Sequence, residues 1–411
     1  MISIDEARYY VLRDLTPLEP QELELSNALG CVAASIVIAI EPSPRFANSS
    51  MDGFALRAED TLGGMTRLKI TDSIFAGDVG DLQLGSGEAM RIMTGAPIPP
   101  GADSVCIREE ATVDDDGTTV IIQREVAVGE FVRTVGDDFA EGQALVDAGD
   151  EIGPALLGVL ASQGARSVLA YPRPRVGVLS TGSELSDDSA SLAPGKIRDA
   201  NRPSLLASLA QSDFEPIDLG VVGDTEEEIA RGFQRGIETC DAVVSTGGVS
   251  VGDADFVKAV ISELCGGSAR SMQVAMKPGK PFAFGVAAPS GTPLFGLAGN
   301  PVSTLVGFEV FVRPALRRLG GHRVLDRLTL NAVADLAMNR KPDGKVHFVH
   351  VVSRVHDDGR LHVERAARHA SHLLNAAADS NSIVVLANGD GAALGDEVRV
   401  IVLDPNQLSR D

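Results

Sequence analysis

Aromatic residues are scarce in this sequence: they make up 4% of its 411 residues, and tryptophan is absent. Apolar residues make up 44%, so the hydrophobic cores must be built mainly from Val, Leu, Ile and Ala. No run of about 18 apolar residues occurs, and we therefore expect no membrane-spanning helix and no direct membrane insertion. The N-terminus has neither a basic segment nor an apolar one after it, so we also expect no signal peptide.

Cysteine and positive charge are scarce as well. The four cysteines are far apart and form no C-x-x-C motif, so we expect free thiols in a reducing compartment and a cytoplasmic location. The sequence has 57 acidic residues against 36 basic ones, a formal charge of −21. Such a surface repels nucleic acids and anionic membranes, so no nucleic acid partner is expected. A small anion can still bind where backbone N–H groups and a few basic side chains meet.

Histidine is absent before residue 320. His347 and His350 form an H-x-x-H motif in a predicted strand, where positions i and i+3 point to opposite faces, so the two cannot chelate one ion together. The acidic run 114–116 is followed by glycine and lies between two β-branched runs, which predicts a hairpin turn rather than a cation site. Residues 355–364 predict a second hairpin for the same reason.

The pattern of apolar residues divides the chain, whose length predicts two to four domains. From 46 to 134, short Val/Ile segments alternate with turns and predict a β-rich domain. From 173 to 318, strands alternate with helices, which predicts a parallel sheet with helices on both faces. After residue 319 the pattern is β-rich again and predicts a small C-terminal β domain. The predicted fold class is therefore multidomain α/β plus β.

Glycine-containing loops follow four predicted strands of the 173–318 segment. In an open α/β sheet, ligands bind beyond the C-terminal ends of the strands, so these loops mark the candidate site. Small hydroxyl side chains stand beside the glycines, and acidic residues follow in three of the loops. The loops are residues 180–184, 223–225, 246–255 and 296–301.

The composition of these loops is typical of a phosphate site. Glycine lets backbone N–H groups approach a phosphate closely, and helix N-termini add a favourable dipole. Lys277 and Lys280, just before another predicted strand, supply positive charge. No P-loop motif and no strand–GxGxxG–helix unit is present, which argues against a P-loop NTPase and a standard dinucleotide fold. The predicted binding residues of the loops are Thr181, Gly182, Gly247, Gly248, Ser250, Gly252, Gly299 and Asn300.

Three acidic residues of the loops, Glu184, Asp224 and Asp255, are candidate ligands for Mg²⁺. Carboxylates suit this hard cation, which protein and phosphate oxygens usually share. Two alternatives stay open from the residues alone. Glu184 and Asp224 could be solvated loop acids or helix caps, and Asp255 could be the N-cap of the helix that follows it.

The segment "FGLAGNPVST", residues 295–304, predicts both a helix start and a place where a ligand meets the backbone. Asn300 can cap the helix, and Pro301 suits its first position, where a missing N–H costs nothing. We expect this helix to kink or restart at Pro314.

Eight motifs, in order along the chain, closely resemble the MoeA/gephyrin E-domain family of molybdopterin molybdenumtransferases. Several separate motifs in the right order are highly specific. They are "SSMDGFALR" (49–57), "RIMTGAPIPPGADSV" (91–105), "GDDFAEG" (136–142), "LSTGSEL" (179–185), "GKIRDANRPSL" (195–205), "STGGVSVGDADFVK" (245–258), "MKPGKPFAFG" (276–285) and "GLAGNPVST" (296–304).

The resemblance implies an elongated homodimer with four subdomains in each subunit. It assigns residues 1–45 and 135–172 to a discontinuous dimer-body domain and residues 46–134 to the β-rich domain. Residues 173–318 then form a MogA-like, three-layer α/β domain that binds molybdopterin, and residues 319–411 form the C-terminal β domain. The active cleft is expected between the MogA-like domain of one subunit and the β-rich domain of the other.

The resemblance further implies a Mg²⁺-dependent insertion of molybdate into adenylylated molybdopterin, with release of AMP. A MogA-like adenylyltransferase is the expected partner in the pathway. The resemblance places Asp52 and Thr94 on the β-rich side of the cleft, and Arg133 and Asp138 on the segment that returns to the dimer body. It ties Glu184, Asp224 and Asp255 to Mg²⁺ and catalysis, places Lys277, Lys280 and Pro301 around the pterin and phosphate, and places Ser371 near the molybdate.

Four positions depart from the family pattern. The family usually has Pro where Ala298 stands, Arg and an acid where Lys345 and His347 stand, and Gly where Ala370 stands. These departures motivate an alternative function. In it, the protein is a gephyrin-like scaffold with reduced or no catalysis that binds a linear peptide of a receptor or of a tubulin-like cytoskeletal partner.

Overall fold

The computed structural model describes residues 1–79, 82–186, 192–248, 256–366 and 374–408. The chain divides into two compact units. The larger unit comprises Met1–Ala34, Gly149–Gly153 and Ser167–Asp411, and the smaller unit comprises Ser35–Ala148 and Pro154–Arg166. The finer, four-domain division stays a prediction. Among the described residues, no helix has both the length and the apolar character needed to cross a membrane.

A six-stranded sheet, called the central sheet below, forms the middle of the larger unit. Three of its five strand pairings are parallel, as predicted, but the prediction of a wholly parallel sheet is wrong for the last two pairings, because Pro281–Val286 runs opposite to the other five strands. The turn between Val286 and Pro293 is too short for a crossover connection, so the strand before it must run antiparallel. In spatial order the strands are Glu215–Val222, Arg175–Thr181, Ala242–Thr246, Pro293–Leu297, Pro281–Val286 and Arg270–Gln273.

Helices cover both faces of the central sheet, as predicted. Alternate strand residues point to opposite faces, so Val243 belongs to one buried cluster while its neighbours Ala242 and Val244 belong to the other. The helices around the sheet are Ile4–Leu12, Asn201–Gln211, Glu226–Thr239, Phe256–Leu264, Pro301–Gly307 and Arg313–Leu319.

The helix that follows Asn300 is interrupted where a break was predicted. Pro301 stands at its start and Asn300 at the N-cap position, although the Asn300 side chain makes no capping hydrogen bond. A π-helical turn over Phe308–Val312 separates it from the helix Arg313–Leu319, in which Pro314 lies in the first turn. Pro314 has no N–H to donate, and the carbonyl of Val310, one turn earlier, accepts a hydrogen bond from Arg8 Nη1 at 2.8 Å instead.

Five of the strands after residue 328 close into a small barrel, called the C-terminal barrel below. The Val346–Val355 strand pairs with strands on both sides of it, which completes the ring. In order the strands are Val346–Val355, Leu361–Ala366, Thr329–Ala334, Glu397–Val402 and Ser382–Leu386. Met276–Lys277 adds a short parallel rung to the Val346–Val355 strand. The hairpin predicted over 355–364 is confirmed.

Shorter elements complete the larger unit. They are the helix Leu374–Ala378, the 3₁₀ turns Leu25–Asn27 and Pro405–Leu408, a three-stranded sheet of Gln21–Glu24, Ser167–Tyr171 and Val32–Ala33, and the two-residue pairs Leu185–Ser186 with Ile197–Arg198 and Met338–Asn339 with Gly391–Ala392.

The smaller unit is rich in β-structure, as predicted, and its main sheet has six strands. The hairpin predicted around the acidic run 114–116 is confirmed, with Gly117 at φ +72° in the turn. Gly53 packs directly against a neighbouring strand, because a Cβ there would lie 2.0 Å from the carbonyl oxygen of Cys106. In order, the strands are Ser104–Ile107, Gly53–Leu56, Glu88–Ile92, Thr66–Ile74, Thr119–Ile122 and Ala111–Val113. The other elements are Asn48–Ser49 paired with Val132–Arg133, Val37–Ile38 paired with Ala144–Val146, the helix Pro154–Ser162, and the 3₁₀ turns Ala58–Thr61 and Arg108–Glu110.

Candidate active site

The four glycine loops share one edge of the central sheet, as the sequence predicted. The strands end in register: Thr181 is opposite Val222, and Thr246 is opposite Leu297. Ser180, the residue before Thr181, is opposite Thr246. The backbone groups that follow these strands are therefore brought together at a single edge, where a ligand can contact all of them.

The antiparallel strand Pro281–Val286 brings Lys280 to the same edge. Its second residue, Phe282, is opposite Leu297, the last residue of the Pro293–Leu297 strand. Because the two strands run in opposite directions, Pro281–Val286 begins at the edge where Pro293–Leu297 ends. Lys280, immediately before it, is half-buried, and its carbonyl accepts a hydrogen bond from Val274 at 2.8 Å. The direction of this strand, which the sequence pattern did not reveal, thus explains how a lysine that precedes a strand reaches loops that follow strands.

Gly247 and its neighbours form a cradle of backbone. Gly247 has φ +98°, and a Cβ there would lie 2.3 Å from the carbonyl oxygen of Thr181, so only glycine fits. At Gly299 a Cβ would contact Gly247 Cα at 3.4 Å, which shows how closely the two loops approach. Gly248 is also left-handed, at φ +63°. Main-chain groups, rather than side chains, therefore line this part of the edge.

Two buried polar atoms at the cradle lack a hydrogen-bond partner among the described residues. They are the hydroxyl oxygen of Thr181 and Oδ1 of Asn201. The Thr181 hydroxyl lies against Gly248, where a Cβ would be only 3.1 Å from it. Buried polar groups are normally satisfied, so these two atoms are suited to a polar ligand. The donor-rich backbone and the unsatisfied hydroxyl together fit a phosphate group.

Asn201 was not predicted as a site residue, although it lies in a quoted motif. Its Nδ2 donates to the Thr246 hydroxyl at 2.8 Å and to the Gly299 carbonyl at 2.7 Å. Asp199 fixes the start of this helix, because its Oδ1 accepts from the backbone N–H of Asn201 at 3.1 Å. The asparagine thus holds two strand-end loops together. The available signal was the amide side chain of Asn201 within the motif "GKIRDANRPSL" (195–205), whereas the predicted site residues of the loops were chosen mainly as glycines, hydroxyls and charged groups.

Glu184 and Asp224 lie on loops that contact each other. Asp224 Oδ2 accepts a hydrogen bond from the backbone N–H of Ser183 at 3.0 Å, directly beside Glu184. Both carboxylate side chains are exposed. Asp224 is not the cap of the helix after it: Thr225 holds that position, and its hydroxyl accepts from Glu228 N at 3.3 Å. This arrangement leaves both carboxylates available to a cation at the loop surface.

Lys196 adds a cation beside the acids that the sequence analysis did not single out. Its Nζ donates to the carbonyl of Ser183, in the same turn as Glu184. Lys277 stands at the other side of the site, on the rung that pairs with the C-terminal barrel opposite His347. The larger unit thus presents lysines on separate loops, which suits a ligand with more than one anionic group.

Two of the four departures from the family pattern, Lys345 and His347, meet around one carboxylate. Asp343 accepts a hydrogen bond from Arg340 at 2.6 Å and contacts His347 Nε2 at 3.1 Å and Lys345 Nζ at 3.6 Å. The hydrogen bond from His347 lowers the pKa of Asp343, and burial lowers the pKa of His347. Three basic groups therefore converge on Asp343 in the segment between the barrel strands Thr329–Ala334 and Val346–Val355.

Asp52 and Thr94 form a local pair within the smaller unit. The backbone N–H and the hydroxyl of Thr94 both donate to Asp52 Oδ1, each at 2.8 Å. The backbone hydrogen bond is the main cause that lowers the pKa of Asp52, and the hydroxyl bond adds to it. Both side chains are exposed. The carboxylate is therefore ionised and held in one orientation at the surface.

Arg133 and Asp138 lie further along the smaller unit. Arg133 is exposed and pairs with Asn48 in a two-residue ladder just before the "SSMDG" segment. Asp138 donates its backbone N–H to the Ser43 carbonyl at 2.9 Å, and its carboxylate faces the Ser43 hydroxyl at 3.5 Å. These contacts fix the backbone at each residue and leave the guanidinium of Arg133 directed to solvent.

Four predicted residues, Ser250, Gly252, Asp255 and Ser371, and the departure at Ala370, lie outside the described residues.

Three family descriptions match the chain in succession. Residues 2–164 match the "MoeA N-terminal region (domain I and II)", residues 177–318 the "Probable molybdopterin binding domain", and residues 334–403 the "MoeA C-terminal region (domain IV)". Together the three matches span nearly the whole chain, and they belong to the same family that the sequence motifs resemble.

Curated relatives and a solved structure match over almost the full length. A "Molybdopterin molybdenumtransferase" of Haemophilus influenzae is 35% identical and covers 98% of both chains, and one of Bacillus subtilis is 32% identical and covers 98% of this chain and 94% of its own. The molybdopterin biosynthesis moeA protein of Pyrococcus horikoshii OT3 superposes with a TM-score of 0.80 at 25% identity, covering 98% of this chain and 100% of its own. Relatives named as transferases over their whole length do not favour the scaffold alternative.

Proposed function

The chain belongs to the MoeA family of molybdopterin molybdenumtransferases, which act in molybdenum cofactor biosynthesis, and we propose that it inserts molybdate into adenylylated molybdopterin with release of AMP. The observation that carries the proposal is the edge of the central sheet. There a glycine cradle, an unsatisfied buried hydroxyl, lysines and two exposed carboxylates lie on adjacent loops.

The cradle is suited to the phosphate of the pterin substrate. In this proposal, the N–H groups of Gly248 and Gly299 and the hydroxyl of Thr181 donate to phosphate oxygens, whereas the N–H of Gly247 donates to the Leu297 carbonyl at 3.2 Å. Asn201 keeps the two loops at a fixed separation through its bonds to Thr246 and Gly299. Lys280 and Lys277 offset the negative charge of a substrate that must meet molybdate, itself an anion.

Glu184 and Asp224 are the proposed ligands for Mg²⁺, with Asp255 as a third that the sequence predicts. Their carboxylates are exposed on touching loops, and oxygen donors of this kind match the preference of the ion. Mg²⁺ bound there would offset charge on the phosphate oxygens that it shares with the carboxylates.

We also propose a homodimer whose active cleft is shared between subunits, as the resemblance implies. Asp52, Thr94, Arg133 and Asp138 of one subunit then complete the cleft that holds the central sheet edge of the partner. The oriented and ionised Asp52 carboxylate supports a role at the reacting end of the substrate. A MogA-like adenylyltransferase is the proposed source of the adenylylated substrate.

The direct test supplies purified protein with adenylylated molybdopterin and molybdate and measures AMP and active cofactor, with and without Mg²⁺. Asp224→Asn should abolish Mg²⁺-dependent turnover. Glu227→Gln is the matched control, because this exposed acid lies on the neighbouring helix and makes only a long, solvated ion pair with Arg231 at 3.8 Å. Equal activity of Asp224→Asn and wild type, or no AMP from wild type, would refute the proposal.

A second experiment tests the shared cleft. Asp52→Asn and Asp224→Asn are each expected to be inactive alone. When the two variants are co-expressed, about half of the dimers contain one subunit of each. If the cleft is shared, one of the two clefts in each mixed dimer has both residues intact. Activity should therefore return to about a quarter of wild type. No recovery would place both residues in the same subunit's site.

A further inference from the structure

Apart from the proposed transferase site, a cluster of histidine and carboxylate side chains lies on the hairpin of the C-terminal barrel. It comprises His356 in the turn, His362 on the returning strand and Asp335 after the Thr329–Ala334 strand. One ligand atom from each of the three lies within 4.8 Å of the other two. Among the described residues this is the one group of three or more His, Cys, Asp and Glu side chains that meets such a distance.

The backbone of the barrel holds the three residues together. His362 is opposite Arg354 across the hairpin and beside Val333 in the parallel pair. Asp335 donates its N–H to the carbonyl of Val363 at 3.0 Å, so the residue after the strand is tied to the hairpin. His356 closes the turn by donating its N–H to Arg360 at 3.0 Å. The cluster is therefore built by sheet hydrogen bonds and does not depend on flexible side chains alone.

The distances between donor atoms are close to those around a transition metal. His362 Nδ1 lies 2.9 Å from Asp335 Oδ1, and His356 Nε2 lies 4.0 Å from Asp335 Oδ2. Glu364 lies outside this group of three, but its Oε1 is 2.9 Å from His356 Nε2 while its Oε2 faces Arg354 Nε at 3.5 Å, so it is placed to supply a fourth donor after a side-chain movement. Ligands about 2.0–2.2 Å from a tetrahedral Zn²⁺ are themselves a little over 3 Å apart, so small side-chain movements would close the set.

His362 also has the partner that metal-bound histidines use. Its second nitrogen, Nε2, faces Asp358 Oδ2 at 3.2 Å. A carboxylate in that position fixes the tautomer and leaves Nδ1 directed at the ion. The His362 side chain is mostly buried, whereas that of His356 is more exposed, and a surface cavity of about 500 Å³ lined by both gives an ion access from solvent.

We propose that Asp335, His356, His362 and Glu364 form a binding site for a divalent transition metal such as Zn²⁺. Two imidazoles with two carboxylates select Zn²⁺, Co²⁺ or Ni²⁺ over Mg²⁺ and Ca²⁺, which prefer oxygen donors alone. The two rings are stacked, with centroids 4.1 Å apart and planes 4° from parallel, so binding turns them out of the stack toward a common ion. The ion clamps the hairpin to the end of the Thr329–Ala334 strand.

The test uses the full chain, freed of metal with a chelator and dialysed, in excess Mg²⁺ so that oxygen-donor sites are already filled. Zn²⁺ is titrated against a chromogenic chelator, and Co²⁺ binding is followed by its visible absorption. We expect one ion per chain, with the absorption of a four-coordinate site. Asp358→Asn should weaken binding by about 10- to 100-fold, since it removes only the partner of His362.

His356→Ala and His362→Ala should each lose the stoichiometric site. His356→Ala is the safer variant for folding, because it changes a turn residue. The matched control is His347→Ala, which removes another barrel histidine paired with a carboxylate, at 3.1 Å from Asp343, and should bind like wild type. The proposal is overturned if wild type binds no stoichiometric Zn²⁺, or if both histidine variants bind it unchanged.

Discussion

His350 should make the stability of the C-terminal barrel depend on pH. Its side chain is 5% exposed, and its Nδ1 lies 2.9 Å from the Ser380 hydroxyl. That hydroxyl already donates to the carbonyl of Ala377 at 2.6 Å, so Nδ1 must carry the proton. Nε2 is then an acceptor, buried without a partner among the described residues, and a second proton there would have no acceptor of its own.

Burial lowers the pKa of His350 from the ordinary 6.5 to about 4. Between these values the unfolded state binds more protons than the folded state, so stability falls as pH drops through 6.5 and this loss is complete below pH 4. Each pKa unit corresponds to about 1.36 kcal/mol, so the whole loss is about 3 kcal/mol. About 2 kcal/mol of it should be lost between pH 7.5 and pH 5, equivalent to roughly 30-fold in the opening equilibrium.

Amide hydrogen exchange of the Val346–Val355 strand, corrected for intrinsic rates at each pH, measures this opening locally. His350→Gln keeps a polar side chain that does not titrate, so its pH dependence should be shallower than that of wild type by about 30-fold over this range. His322→Gln is the control, because the pKa of His322 is also lowered by burial but the residue lies outside the barrel. Equal pH dependence in wild type and His350→Gln would refute the reasoning.

Three further substitutions test the site and the packing around it. Asn201→Ala removes two hydrogen bonds between loops, so we expect a raised KM and a stability loss of about 1–3 kcal/mol, measured by steady-state kinetics and thermal unfolding. Gly53→Ala should destabilise the smaller unit, measured by proteolysis or hydrogen exchange, because its Cβ would overlap the carbonyl of Cys106; an unchanged exchange pattern would contradict this. Ala298→Pro should leave the fold intact and the activity no lower, with about 0.4–1 kcal/mol gained from the unfolded chain; a large loss of activity would show that this loop serves another use.

Local patterns predicted much of the fold in both units. The alternation of strands and helices over 173–318, the start of a helix at Pro301 and the two Asp-Gly hairpins are all present. These features depend on residues that are close in sequence, such as a proline at a first helical position or glycine in a turn. The four loops at one edge were also predictable, since parallel strands with crossover helices must end together.

The rest depended on contacts between distant residues. The reversed direction of the Pro281–Val286 strand decides where Lys280 lies, and no local pattern distinguishes a buried antiparallel strand from a parallel one. Asn201 acts on loops that follow other strands, so its role appears only once those strands are adjacent. Asp335 meets the hairpin histidines through a parallel strand pair, and its spacing from them in sequence gives no such signal.

The short rung at Met276–Lys277 limits how the chain can be divided in the laboratory. Ala275 accepts from Val346 at 2.9 Å and donates to Ile2 at 2.8 Å, so three segments far apart in sequence share one continuous ladder. A fragment cut at residues 173 and 318 would keep every glycine loop and still lose both neighbours of the segment that positions Lys277. When segments are exchanged between homologues to make chimeras, residues 1–12, residues 270–280 and the barrel should therefore be exchanged together. Their shared ladder makes them one structural unit rather than separate modules.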